Sequence, residues 1–145
     1  MKVLFVCHAN VCRSFMAQEL LKSFCPQLTV FSRGLYVDPA VSVPETVQRF
    51  LIDHKVAVSS YVPVQLSQVD LEQADVVLFM EKQHLEHVID RFAQYTDKCY
   101  LLLDFAYGQE KDVADPIGLK GHAFNRQADI LYQAVRACGE KLNHS

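Results

Sequence analysis

The chain has 145 residues, half of them hydrophobic and 21% charged, which suits one globular domain over residues 1–145 with a single buried core. Its formal net charge of −3 argues against a nucleic-acid partner, and no apolar run approaches the ~20 residues of a membrane span. The opening MKVLFVCHAN is too short in apolar residues for an export signal, so the five cysteines read as cytoplasmic thiols. In chain order, residues 2–6 (KVLFV) form an apolar run typical of a strand buried on both faces. Residues 14–24 predict a helix stopped by Pro26, and residues 28–32 (LTVFS) a second strand. Ser42-Val43-Pro44-Glu45 has the form of a capping box, opening a helix with Val47, Phe50 and Leu51 on its face. A short helix opens at residues 67–70 (SQVD), and residues 75–80 (DVVLFM) predict the third strand. Leu85, Val88, Ile89 and Phe92 recur at amphipathic helical spacing. Residues 99–103 (CYLLL) predict the fourth strand. After a polar loop, the last helix carries Phe124, Ala128, Leu131, Val135 and Leu142 on one side. This alternation predicts an α/β fold, a parallel sheet with helices on both faces and ligands bound beyond the carboxyl ends of its strands.

Cys7 stands at such a strand end. The stretch Cys7-His8-Ala9-Asn10-Val11-Cys12-Arg13 must wrap tightly to enter the helix that begins near Ser14. A loop of this kind points backbone N–H groups inward and makes an anion site at a helix N-terminus. Arg13 adds a planar fork matched to two oxygens of a phosphate. Cys7 then lies at the bottom of an electropositive cup, surroundings that favour a thiolate, and Ser14 can donate a hydrogen bond to its sulfur. Other readings compete. A metal site would need a second ligand pair, and Cys7, His8 and Cys12 lack the short CxxC spacing. A redox pair lacks that spacing too, although Cys12 could trap an oxidised Cys7 as a disulfide. Two buried structural thiols would explain the cysteines but not the arginine. Cys25, Cys99 and Cys138 read as ordinary core or surface residues.

A thiolate beneath a phosphate needs an acid to protonate the leaving oxygen. Asp115 in Asp115-Pro116-Ile117-Gly118 follows the fourth strand, so it can lie on the carboxyl edge with Cys7. Asp38-Pro39 follows the second strand and can reach the same edge, and spacing alone leaves both open.

These residues together resemble the low-molecular-weight protein tyrosine phosphatases. Cys7 through Ser14 matches that family's C-x5-R-S loop near the N-terminus. Ser32-Arg33-Gly34, residues 75–81 (DVVLFME) and the late Asp115-Pro116 extend the likeness along the whole chain. The resemblance implies a three-layer, flavodoxin-like sandwich with a four-stranded parallel sheet in the order 2-1-3-4. It also implies a cysteinyl-phosphate intermediate, without metal or cofactor. Carried over by position, Cys7 is the nucleophile, Arg13 the phosphate clamp and Asp115 the general acid, then base. The phosphate or another oxyanion would lie in the cup of His8, Ala9, Asn10, Val11, Cys12, Arg13 and Ser14. Asn10, in a left-handed conformation, would hold the loop with Ser14 and Ser32. The implied partner is a phosphotyrosine protein or peptide, with no nucleic acid or membrane, for a redox-sensitive monomer or weak dimer.

Four positions depart from the family pattern. Ala9 replaces a Gly, Phe15 replaces a Pro, Ser60 lies near the place of a loop-bracing His, and Ile117 replaces an aromatic that walls the phenyl ring. Tyr36 could supply a wall instead, with Tyr107 a further choice. Two alternatives of other kinds stay open. Related arsenate reductases of this fold need two more cysteines after the third strand, and residues 81–98 hold none. A non-catalytic phosphate-binding module would need neither thiolate nor acid.

Overall fold

The computed structural model describes residues 1–58 and 60–143. The first strand, β1 (Lys2–Cys7), lies inside the sheet, paired in parallel with β2 (Thr29–Gly34) and with β3 (Val76–Phe79). β4 (Cys99–Leu101) pairs with the far side of β3, so the strand order is β2-β1-β3-β4 and every pairing is parallel. Side chains alternate across a strand, and here both faces are apolar. Val3, Phe5 and Cys7 enter one buried cluster, and Leu4 and Val6 enter the other.

The larger cluster is closed by α1 (Arg13–Phe24), α2 (Glu45–Asp53), α5 (Leu102–Tyr107) and α6 (Gly121–Asn143). The smaller is closed by α3 (Gln68–Gln73) and α4 (Lys82–Arg91). Full burial of one Leu or Phe contributes about 1.5–3 kcal/mol, so these two layers hold the sheet between them. Residues 13–18 of α1 are all buried, which encloses the first turn of the helix that follows the Cys7 loop. Asp70 accepts hydrogen bonds from the Ser67 N–H and Oγ at 3.0 and 3.2 Å, capping α3. No helix among the described residues is long and apolar enough to cross a membrane.

Two expectations about elements need correction. Ser42 does not cap α2. Pro44 occupies the cap position, extended at ψ 146°, and Gln48 Nε2 donates instead to the Val43 carbonyl at 2.9 Å. The residue before a proline is pushed out of helical conformation, so the helix cannot include Val43 and starts after Pro44, two residues beyond the place Ser42 would cap. The fourth strand stops at Leu101, and the next two leucines begin α5. Leu102, Leu103 and Ala106 are buried, and α5 packs on α6. Gly108, at φ 70°, ends α5 in the left-handed conformation that closes many helices.

Candidate active site

β1 ends at Cys7 and α1 begins at Arg13, so five residues make the whole turn between sheet and helix. Asn10 takes φ 62° within it, a conformation that Asn tolerates better than most side chains. Its side chain is fully buried and makes four hydrogen bonds. Nδ2 donates to Ser14 Oγ at 2.8 Å and to Ser32 Oγ at 2.9 Å, and Oδ1 accepts from the Tyr61 hydroxyl at 2.6 Å and the Val64 N–H at 2.9 Å. Every polar position of that amide is used. The Ser32 hydroxyl in turn donates a hydrogen bond to Gln18 Oε1 at 2.7 Å.

Ser14 Oγ lies 2.9 Å from Cys7 Sγ. Either atom can be the donor while Cys7 is a thiol, and toward a thiolate, which has no proton to give, the Ser14 hydroxyl donates. The Asn10 N–H also donates to Sγ at 3.3 Å, so two donors meet the sulfur where a negative charge would form. Cys12 differs. Burial first, then the charges of Asp115 and Cys7, push its thiol up to about 12, with Arg13 opposing. Cys12 stays protonated.

Arg13 is almost wholly buried. Nη1 donates to the Val113 carbonyl at 2.7 Å and pairs with Glu81 Oε2 at 2.7 Å, while Nη2 lies 3.6 Å from Asp115 Oδ2. Burial raises the Glu81 pKa, but hydrogen bonds from Arg13 and Gln83 and the Arg13 charge outweigh it and hold the carboxyl below its ordinary 4.5. His84 is buried beside this pair, with Nε2 3.8 Å from Glu81 Oε2 and Nδ1 without a hydrogen-bond partner among the described residues. Desolvation lowers its pKa, Glu81 opposes that, and Arg13 and His8 reinforce it.

The loop that carries Asp115 is tied down before it reaches the site. The Val113 N–H donates to the Met80 carbonyl at 2.8 Å, and Asp112 accepts from the Lys82 N–H at 2.8 Å. Asp115 Oδ1 accepts from the Ile117 N–H at 3.0 Å, a turn bridging Pro116. One pocket is lined by residues 7–13 together with Asp115 and Ile117. Asp38 does not join it, because its carboxylate turns the chain by accepting from the Ala40 N–H at 3.0 Å. Of the two candidate acids, Asp115 is the one that lines the pocket with Cys7.

The predicted wall divides. Ile117 lines the pocket and is 63% exposed. Tyr36 stands outside it, with its ring 4.9 Å from that of His8, and Tyr107 is absent from the pocket lining. Ser60 is exposed, and the brace anticipated near it comes from Tyr61. Burial pushes the Tyr61 phenol pKa up, which keeps it a donor. Phe15 packs on the Tyr61 ring at 4.4 Å, so the residue that replaces Pro holds the brace in place. Sequence reasoning missed Glu81, Tyr61 and Gln18 as supports. Glu81 had a usable signal, since it lies two residues beyond β3, where strand order reverses beside β1. Among the described residues no group of three or more His, Cys, Asp or Glu is arranged to hold a metal ion.

The family model for low molecular weight phosphotyrosine protein phosphatase matches residues 2–145. A protein-arginine-phosphatase of Bacillus subtilis (strain 168) is 31% identical, covering 98% of this chain and 97% of that protein. The low molecular weight protein-tyrosine-phosphatase Wzb of Salmonella typhi is 30% identical, covering 98% and 94%. The crystal structure of a YwlE mutant from Bacillus subtilis superposes with a TM-score of 0.92 at 29% identity, covering 99% of each chain. This chain belongs to the low-molecular-weight phosphotyrosine protein phosphatase family.

Proposed function

We propose that this phosphatase hydrolyses phosphotyrosine in proteins or peptides through a phosphate ester of Cys7. The observation that carries the reading is Cys7 Sγ, met by Ser14 Oγ at 2.9 Å, in a pocket that Asp115 also lines. Backbone N–H groups of the loop hold the phosphoryl oxygens, and Arg13 clamps two of them. The thiolate attacks phosphorus, the ester P–O bond breaks, and Asp115 gives its proton to the departing oxygen. Asp115 then takes a proton from water as that water attacks phosphorus. The S–P bond breaks, and phosphate leaves with the thiolate restored.

A second reading concerns the substrate alone. Two relatives, 31% and 30% identical, are named protein-arginine-phosphatases, and the pocket wall here is aliphatic Ile117 in place of an aromatic ring. Peptides of one sequence carrying phosphotyrosine or phosphoarginine separate the two. The tyrosine reading expects the larger kcat/KM on phosphotyrosine. A preference of tenfold or more for phosphoarginine would overturn it and leave the Cys7 chemistry standing, about the discrimination one misfitted group supplies. An arsenate-reduction assay beside it is expected to show no turnover, because no cysteine lies between Glu81 and Lys98 to carry oxidation away.

A further inference from the structure

Beside the Cys7 pocket lies a second hollow that the chemistry above does not use. It encloses about 230 Å³ between the chain after β2 and the outer end of α4. Leu35, Leu66, Val88 and Phe92 give it an apolar floor backed by the smaller core cluster. Tyr36 and His87 also line it, with ring centroids 6.3 Å apart. Arg91 adds a guanidinium that is exposed and has no hydrogen-bond or ion-pair partner among the described residues. Among the described residues no carboxylate lines the hollow, in a chain whose formal net charge is −3.

The hollow is continuous with the phosphate loop. The Leu35 N–H donates to the Cys7 carbonyl at 3.1 Å and the Tyr36 N–H to the His8 carbonyl at 2.9 Å. Ring contacts then run from His8 to Tyr36 at 4.9 Å and from Tyr36 to His87 at 6.3 Å. An extended peptide advances ~3.3–3.6 Å per residue, so this span equals roughly three residues. The groove is thus within reach of the chain flanking a phosphate held at the loop.

Resting on the phosphatase reading above, we propose that the groove docks the substrate chain beside the phosphorylated residue. It takes an apolar side chain and an adjacent acidic residue, about two to four positions from the phosphate. The apolar side chain fills the floor between Leu66 and Phe92, and the acidic one pairs with Arg91. Both are recognised by complementarity, and neither takes part in the chemistry.

The test uses the full chain and phosphotyrosyl peptides of equal length. One set carries Leu-Glu in the flank, on either side in turn, and the other carries Ala-Lys. Wild type is expected to favour Leu-Glu on one flank by about tenfold in kcat/KM, the scale of one filled apolar pocket plus one exposed ion pair. Arg91→Glu should reverse the Glu-over-Lys part of that preference, and Leu66→Ala should lose the Leu-over-Ala part. Parallel turnover of p-nitrophenyl phosphate, too short to reach the groove, reports the loop chemistry separately. If wild type turns that ester over yet treats both peptide sets alike, the groove assignment fails and the phosphatase reading stands. A preference left unchanged by Arg91→Glu and Leu66→Ala would equally overturn the groove. If wild type turns over neither ester nor peptide, both fail.

Discussion

Arg13 is a full positive charge at 2% exposure, so its partners decide which of its donors are left for substrate. Glu81 and the Val113 carbonyl occupy Nη1, and Nε has no hydrogen-bond partner among the described residues. Nη2 lies 3.6 Å from Asp115 Oδ2, beyond hydrogen-bond reach, so in the proposed mechanism Nε and Nη2 are the donors that would take two oxygens of a phosphate. Glu81 is a positioning residue in this account. Glu81→Ala should lower kcat on p-nitrophenyl phosphate by roughly ten- to a hundredfold, because a charge-assisted hydrogen bond contributes ~1.5–3 kcal/mol. Glu81→Gln keeps an acceptor and should recover most of that loss, and a steady-state comparison of the three proteins checks it. Full activity in Glu81→Ala would remove Glu81 from the site. Its one signal in the sequence was its place two residues beyond β3, at the reversal of strand order, since a lone carboxylate after a strand otherwise resembles any surface residue. Cys7, Arg13 and Ser14 were legible because one short loop holds all three.

At the scale of elements, the loop is shaped by the strand ends beside it. Gly34 ends β2 next to β1, and a Cβ there would lie 2.6 Å from Val37 Cγ2 and 3.0 Å from both the Ala9 carbonyl carbon and Asn10 Cβ. The Val37 side chain can turn aside, but the Ala9 backbone cannot move without reshaping the anion cup. Gly34→Ala should therefore cost about 1–3 kcal/mol of stability and reduce kcat/KM by on the order of 10²-fold, the effect of a small misplacement of reacting groups. Denaturant melts and kinetics on the same preparation test both. Wild-type kinetics would show that the loop does not depend on this contact. The parallel sheet and its order were legible because strands and amphipathic helices alternate with clear periods. α5 was not, since Leu101, Leu102 and Leu103 have no period to separate the end of a strand from the start of a helix. Position favoured Asp115 over Asp38 only narrowly in sequence, because the hydrogen bonds of Val113 and Asp112 that bring it to the pocket join residues far apart in the chain.

For the whole molecule, the two buried layers enclose a titratable centre of Arg13, Glu81 and His84 at the edge of the sheet. Its response to acid has a definite sign. His84 is held below its ordinary 6.5 and Glu81 below its ordinary 4.5, so in each case the unfolded chain takes a proton first. Stability from His84 is fully present above pH 6.5 and is lost progressively as pH falls below it. Glu81 adds a second loss as pH falls below 4.5. Wild type should thus unfold at lower denaturant at about pH 5 than at about pH 7.5, and His84→Gln should flatten that difference. An equal pH slope in the variant would take His84 out of the linkage.

The central claim is that phosphate passes through Cys7, and rapid quench in alkaline denaturant followed by peptide mapping tests it most directly. Asp115→Asn is the protein to use, with p-nitrophenyl phosphate as substrate. The good leaving group lets the thiolate attack without an acid, while the missing base slows attack by water, by about the 10²–10⁴-fold of general acid–base catalysis. The account predicts a phosphate adduct that accumulates on the peptide containing Cys7 and disappears as free phosphate forms. Turnover without a protein-bound phosphate, or an adduct on Cys12 or His8 instead, would contradict it.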